Sequence, residues 1–104
     1  MSPPTPSLVF AALGDETRLA LLHKLSQGPR SISQLSQGSS ITRQAVTKHL
    51  RVMESAGLVR SSRHGRESLF EVDPAPLRQA QDYLSLVSQS WDDALARLQA
   101  FVEE

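Results

Sequence analysis

The chain has 104 residues, 39% of them apolar, which is enough for one modest hydrophobic core and predicts a single domain over residues 1–104. It contains no cysteine, so disulfide bonds, thiolate nucleophiles and thiolate metal sites are excluded. The formal net charge is zero, no run of about 18 apolar residues could span a membrane, and the first residues resemble no signal peptide, so we expect a cytoplasmic protein without a membrane partner.

Two helices are predicted in the first quarter of the chain. Prolines keep residues 1–5 out of regular structure, and Thr5 followed by Pro6 is a suitable N-cap and first turn for a helix over 6–13. Asp15 then caps a second helix, which ends at a glycine-proline pair. The apolar side chains of this second helix recur at helical spacing at Leu19, Leu22 and Leu25.

A third and a fourth helix follow after a tight connection. Ser31 and Gln34 are three residues apart and predict a capping box at the start of a short third helix. Thr42 caps a fourth helix that reaches about Ala56. One face of this fourth helix is apolar, with Val46, Leu50 and Met53. Residues 31–56 are therefore interpreted as a helix-turn-helix.

The second half of the chain predicts a β-hairpin and one long helix. Strands over 58–62 and 68–72 flank a polar turn, in which Gly65 can take a positive φ. A helix over 75–102 carries apolar residues at alternating steps of three and four, as in a coiled coil. The predicted fold is mainly α with a small β-hairpin (α+β), in the order of four helices, two strands and a final helix.

Charge is unevenly distributed along the chain. Residues 42–66 contain six lysines and arginines against a single acid, Glu54, whereas residues 67–104 contain eight acids and two arginines. A local concentration of cations attracts an anionic partner even when the net charge is zero. The basic middle of the chain therefore predicts an anionic ligand, and the acidic tail a different role.

The cationic elements have the arrangement that duplex DNA requires. A helix fits the major groove, and the fourth helix presents polar and basic side chains on its outer face at the end that enters the groove. We expect Arg43 to pair with guanine and Gln44 with adenine. Arg51, Arg63 and Arg66 are expected to contact phosphates or a minor-groove edge. The predicted DNA-binding residues are Thr42, Arg43, Gln44, Thr47, Lys48, Arg51, Arg63, His64, Gly65 and Arg66.

Four stretches of the sequence resemble the ArsR/SmtB family of winged helix-turn-helix regulators. They are ALGDETRLALLHKL, SISQLSQ, TRQAVTKHLRVMESAGLV and RHGRESLFEVDP. The resemblance implies a repressor that binds operator DNA as a homodimer and is released by a ligand, with the first and last helices, over 6–13 and 75–102, at the dimer interface. The expected interface residues are Leu8, Val9, Ala12, Leu77, Ala80, Leu84, Val87, Trp91, Leu95 and Leu98.

The sequence departs from the metal sensors of that family. Such proteins carry cysteines on the third helix, or histidines and carboxylates on the last, but here the third helix offers only Gln34, Ser36 and Gln37. The last helix has aspartates and no histidine, and we expect His49 to pack or hydrogen-bond rather than to bind metal. Neither a metal site nor a cofactor is predicted. A small-molecule effector stays open, although Trp91 and Tyr83 are better interpreted as core than as an effector pocket.

Two other functions compete with DNA binding. No G-x-S-x-G elbow, P-loop or HExxH motif organises the serines, histidines and acids, so an enzyme is not predicted. The better rival is a winged-helix module that binds another protein instead of DNA. The DNA-binding interpretation predicts an inverted repeat with half-sites about 10 bp apart, because two helices related by a dyad must enter successive major grooves on one face of the duplex.

Overall fold

The computed structural model describes residues 5–103, so the prediction for residues 1–4 lies outside the described residues. Within that range the chain forms five helices and three strands. The helices are α1 (Pro6–Leu13), α2 (Glu16–Ser26), α3 (Ile32–Ser36), α4 (Arg43–Ser55) and α5 (Pro74–Glu103). The strands are β1 (Arg30–Ser31), β2 (Val59–His64) and β3 (Glu67–Val72). The predicted fold class is confirmed, with one strand more than expected.

The additional strand β1 completes a three-stranded antiparallel sheet in the order β1-β3-β2. Arg30 pairs with Phe70, and Ser31 pairs with Leu69. Two residues are too few to show the alternation by which a strand is recognised in a sequence. The strand exists because β3 offers a free edge to the residues that lead into α3.

The predicted helix caps are confirmed. Ser31 and Gln34 form a complete capping box, in which the Ser31 hydroxyl accepts from the Gln34 N–H at 3.2 Å and the Gln34 Oε1 accepts from the Ser31 N–H at 2.9 Å. The side chains of Thr5, Asp15 and Thr42 each accept from the backbone N–H three residues ahead, at the start of α1, α2 and α4. These contacts are local, which is why the sequence alone predicts them.

The hairpin β2–β3, called the wing below, is longer than predicted. Strand pairing continues to His64 and Glu67, so the turn consists of Gly65 and Arg66 alone instead of residues 63–66. Polar side chains on both faces make this part of the sequence look like a turn, but the ladder is made by backbone groups and continues without apolar side chains. Gly65 has a φ of 65°, as expected of the first residue in a tight two-residue turn.

The core lies between the five helices and the inner face of the sheet, with α1 and the first turns of α5 contributing at its edge. Its most deeply buried side chains are Leu35, Val46, Leu50, Met53 and Leu58. In α2 the prediction of the apolar face is partly wrong: Leu21 and Leu25 are buried, whereas Leu19 is 47% exposed. Leucines occupy several neighbouring positions in α2, so its apolar face is broad, and packing against the core selects the pair one turn apart.

Helix α5 extends well beyond the part of the chain that covers it. It has 30 residues, which is about 45 Å, whereas its neighbour α1 has 8 residues and is about 12 Å long. Pro76 and Ala80 are its buried residues, and Tyr83 contacts Phe10 of α1 with ring centroids 6.0 Å apart. No helix within residues 5–103 is both long and apolar enough to cross a membrane.

Candidate DNA-binding surface

Helix α4 separates its side chains into two faces. Val46, Leu50 and Met53 are buried against the core, as predicted. The outer face of α4 is formed by the exposed side chains of Arg43, Gln44, Lys48 and Arg51, with Thr47 half-buried beside them. The burial of the apolar face thus fixes the rotation of the helix and turns the basic side chains toward solvent.

The hydroxyl groups of the two predicted threonines are already used within the helix. The Thr42 Oγ1 accepts from the Ala45 N–H at 3.1 Å, and the Thr47 Oγ1 donates to the Arg43 carbonyl oxygen at 2.8 Å. Thr42 therefore starts α4, and Thr47 presents mainly its methyl group. The side-chain nitrogens and oxygens available to a ligand on this face are those of the longer residues around them.

Two open clefts lie beside the start of α4, one between α3 and α4 and the other between α3, α4 and the wing. The larger, of about 520 Å³, is lined by Ile32, Arg43, Gln44 and Thr47. The smaller, of about 180 Å³, has Arg43 on one side and Arg66 on another, with the start of α3 between them. Arg43 and Arg66, which are 23 positions apart in the sequence, thus line the same concave surface, together with the acid Glu67.

The tip of the wing, residues 63–66, is exposed throughout. Arg63, His64, Gly65 and Arg66 are all accessible to solvent. The His64 Nε2 lies 3.1 Å from the Ser62 hydroxyl, and the Arg63 Nε donates to the Gly65 carbonyl oxygen at 3.5 Å. At 3.5 Å the latter bond is weak, so the Arg63 side chain can leave it for another partner at little cost.

Two cations of the basic region have acidic neighbours. The Arg51 Nη1 lies 3.2 Å from Glu54, and the Arg60 Nε lies 3.0 Å from Glu71 across the wing. Arg43, Lys48, Arg63 and Arg66 form no ion pair within residues 5–103. Within the described residues, the cations without an ion pair therefore lie on the outer face of α4 and at the tip of the wing.

A cluster of Asp15, Arg18 and His49 at the inner end of this surface was not predicted as part of any site. The Arg18 Nη1 lies 3.4 Å from the His49 Nδ1, and the Asp15 Oδ2 lies 3.8 Å from the same nitrogen. The backbone N–H of Arg18 and then the positive charge of Arg18 hold the pKa of Asp15 below its ordinary value of 3.8. The sequence expectation that His49 would pack or hydrogen-bond is confirmed, but its partner 31 positions earlier carried no local signal.

The predicted dimer-interface residues fall into three groups by exposure. Val9, Ala12 and Ala80 are 2 to 4% exposed and lie in the chain's own core, so these three are corrected to intrachain contacts. They continue the apolar pattern of α1 and α5, which also has to cover the inner side of these two helices. Leu77 and Val87 are half-buried. The exposed group consists of Leu8, Leu84, Trp91, Leu95 and Leu98.

Side chains that could ligate a metal are scattered over the described part of the chain. Within residues 5–103, no three histidine, aspartate or glutamate side chains come close enough together to hold a metal ion.

Three comparisons decide the family. A family model described as a helix-turn-helix domain matches residues 13–62. The HTH-type transcriptional regulator Rv2034 of Mycobacterium tuberculosis is 33% identical over 73 residues, which cover 70% of this chain and 68% of the relative. The solved structure of an ArsR-like transcriptional regulator from Rhodococcus sp. RHA1 has a TM-score of 0.88 at 36% identity, covering 93% of this chain and 89% of that one. The chain belongs to the ArsR/SmtB family.

Membership in the ArsR/SmtB family identifies the chain as a DNA-binding transcriptional regulator, a class of protein that is not enzymatic. The rival interpretation as a protein-binding module is not favoured. A further structure with this fold is a winged helix-turn-helix domain from Mycobacterium bovis, described as homodimeric, with a TM-score of 0.65 at 21% identity over 80% of this chain and 78% of that one. At that identity the likeness is one of fold.

Proposed function

We propose that this regulator is a homodimeric repressor that acts in the cytoplasm and binds an inverted-repeat operator. The outer face of α4 enters the major groove, and the turn of the wing lies against the neighbouring backbone. The observation that carries the proposal is the convergence of Arg43 and Arg66 on one cleft, because this places a cation of the helix and a cation of the wing on one side of the molecule. When α4 lies in the major groove of a duplex, the wing comes close to the phosphates of that duplex.

The side chains have different roles in this proposal. Arg43 and Gln44 are exposed in the first turn of α4 and reach base edges, where arginine recognises guanine and glutamine recognises adenine. Lys48 and Arg51 are farther along the helix and contact phosphates. Thr42 and Thr47, whose hydroxyls are engaged with the backbone, contribute close packing. The wing contributes phosphate contacts through Arg63, His64, Gly65 and Arg66.

The proposed dimer interface is the exposed apolar seam of α5 together with the outer side of α1. Leu84, Trp91, Leu95 and Leu98 are each more than half exposed, which is unusual for a series of large apolar side chains on one helix. They follow the spacing of a coiled coil, in which such residues are covered by a second helix. The homodimeric state described for the Mycobacterium bovis domain with this fold supports the same arrangement.

The test uses DNA from upstream of the protein's own gene, in a footprinting experiment followed by titration at several salt concentrations. A protected site with two-fold symmetry is expected. With about 6 to 10 phosphate contacts, the logarithm of the affinity should fall against the logarithm of the salt concentration with a slope of roughly −5 to −9. A slope near zero or a site without symmetry contradicts the proposal.

A double variant separates DNA binding from the rival function. Arg43→Ala with Lys48→Ala removes two cations from the outer face of α4, and we expect the complex with the protected site to be lost at physiological salt. Lys24→Ala with Arg78→Ala removes the same charge from α2 and α5 and serves as the matched control. Equal binding by both double variants would show that the basic face of α4 is merely solvated.

A further inference from the structure

Arg18 connects three helices through one guanidinium group. Its Nε donates a hydrogen bond to the carbonyl oxygen of Ala12 at 2.6 Å, and its Nη2 donates to that of Ala11 at 3.2 Å. Its remaining nitrogen, Nη1, lies 3.4 Å from the Nδ1 of His49. These contacts join the C-terminal end of α1, the first turn of α2 and the middle of α4.

An arginine is suited to this position for a geometric reason. The last carbonyl groups of a helix have no partner within the helix. At the end of α1, Arg18 donates to the carbonyl of Ala12 and to that of Ala11, which also accepts from the Gly14 N–H at 3.2 Å. The guanidinium group is planar, with five N–H donors in fixed directions, so it reaches both carbonyl groups and the imidazole at once. A lysine has a single nitrogen and cannot make all three contacts.

His49 is the point at which this contact reaches the DNA-binding helix. It follows Lys48 in α4, its side chain is 25% exposed, and it lies between the buried face and the outer face. To accept from Arg18, the Nδ1 of His49 must carry its lone pair. Asp15, with its Oδ2 at 3.8 Å, is the other charged group beside the ring. The imidazole ring of His49 is thus held in place by Arg18 and Asp15, at the start of α2.

We propose that Arg18 is a positioning residue, which fixes the orientation of α4 relative to α1 and α5 and thereby determines the half-site spacing that the dimer accepts. The inference depends on the proposed function, because a spacing is defined only for a dimer on an inverted repeat. Helix α1 packs against α5 through Phe10 and Tyr83, and α5 carries the exposed apolar seam. In the proposed dimer, α5 lies at the two-fold axis. The position of α4 relative to that axis is therefore set by contacts from α5 to α1 and from α1 through Arg18 to α4.

The size of a base-pair step makes the spacing a sensitive measure of this orientation. Successive base pairs are about 3.4 Å apart along each strand, so one base pair inserted between the half-sites displaces one recognition helix by that distance and rotates it around the duplex. If α4 is rigidly connected to the dimer interface, it cannot move to the displaced half-site. If that connection is loosened, α4 can reach the displaced half-site, but the protein binds the optimal duplex more weakly.

The experiment compares the wild type with Arg18→Lys, His49→Phe and His49→Asn. Its probes are a duplex selected by the wild-type protein from a random-sequence library, and derivatives with one base pair inserted or removed between the half-sites. Dissociation constants are measured by fluorescence anisotropy at one salt concentration, at a temperature where circular dichroism shows every variant folded. The wild-type result by itself tests the proposed function, which fails if the selected duplex has no two-fold symmetry.

The readout is the ratio of the dissociation constant on an altered duplex to that on the optimal duplex. We expect Arg18→Lys and His49→Phe to lower this ratio by about threefold or more, the effect of removing one hydrogen bond. His49→Asn places an oxygen near the position of Nδ1 and should keep the wild-type ratio. A variant that weakens binding by one common factor on all duplexes shows a purely structural role and overturns the inference.

The His49 variants make the test independent of the stability of the Arg18 variant. They leave both hydrogen bonds from Arg18 to the α1 carbonyl groups in place, so α1 keeps its attachment even if Arg18→Lys unfolds. A difference in spacing ratio between His49→Phe and His49→Asn supports the inference without any Arg18 variant. Identical ratios in these two variants and the wild type contradict it.

Discussion

Glu54 holds Arg51 against the surface of α4, with the Arg51 Nη1 donating to the Glu54 Oε1 at 3.2 Å. The second oxygen of the same carboxylate accepts from the Ser61 hydroxyl of β2 at 3.3 Å. Glu54 is also the single acid among residues 42–66. One carboxylate therefore links α4 to the wing and lowers the positive potential of the surface that both present.

The variant Glu54→Gln should bind DNA more tightly. It removes a negative charge from the surface proposed to face the phosphates and releases Arg51, while the amide can still accept from Ser61. Exposed ion pairs of this kind are worth about 0.2–1 kcal/mol, so the dissociation constant should fall by roughly 1.5- to 5-fold. Titration against the footprinted operator at fixed salt measures it. Asp82→Asn, which removes an exposed acid from α5, is the control and should leave the affinity unchanged.

The wing should contribute affinity but little sequence information. In Arg63→Ala with Arg66→Ala, the slope of log affinity against log salt should become shallower by about 0.9 for each phosphate that the wing no longer neutralises. The order of preference among operator variants should stay the same, because phosphate contacts do not read bases. Both quantities are obtained from one set of titrations with mutated operators.

The matched control for the wing keeps the positive charges and changes the shape of the charged groups. Arg63→Lys with Arg66→Lys should restore the wild-type salt slope if these residues contact phosphates, since a lysine is an adequate point charge. If the lysine pair instead loses preference for AT-rich flanks, the arginines are inserted in a narrow minor groove, and the assignment to phosphates is wrong.

How much of this fold could be predicted from the sequence depends on how local each feature is. The helix caps at Asp15, Ser31 and Thr42 were predicted because a cap involves residues three positions apart. Strand β1 was missed because it exists only through pairing with β3. The choice of Leu21 over Leu19 as a core residue depends in the same way on what α2 packs against.

The candidate site shows the same division. The outer face of α4 could be predicted because helical periodicity separates it from Val46 and Leu50. The contact between Arg18 and His49 joins residues 31 positions apart, and the pairing of Arg60 with Glu71 depends on the register of the wing. No pattern in the sequence reports such contacts, although Arg18 lies in one of the stretches that carry the family resemblance.

Asp15 should make the stability of the protein sensitive to acid. Hydrogen bonding from the Arg18 N–H keeps the pKa of Asp15 below 3.8 in the folded chain, so the ionised form favours folding. This contribution is fully present above the unfolded pKa and is lost as the pH falls through the folded pKa. Asp15→Asn can still cap α2 but does not ionise.

The free energy of unfolding, from urea titrations between pH 6 and pH 3 at one protomer concentration, should therefore fall more in the wild type than in Asp15→Asn. Asp92→Asn, which removes a carboxylate from the exposed part of α5, controls for the change in net charge and should follow the wild type. Parallel curves for the wild type and Asp15→Asn would contradict a lowered pKa at Asp15.

The apolar seam of α5 leads to a prediction about assembly. Leu98 is 60% exposed in the single chain, so Leu98→Glu costs little in the monomer, but in the proposed dimer it buries a carboxylate from each subunit without a partner. The dimer dissociation constant should rise by about a hundredfold or more, since each 1.4 kcal/mol corresponds to a factor of ten. Sedimentation velocity over a range of concentrations measures it, with Gln89→Glu, an exposed position off the seam, as the matched control.

Because the proposed operator needs two copies of α4, Leu98→Glu should also bind DNA far more weakly than Gln89→Glu, while both retain the helical content of the wild type. A Leu98→Glu protein that sediments as the wild type does would place the interface elsewhere than on this seam.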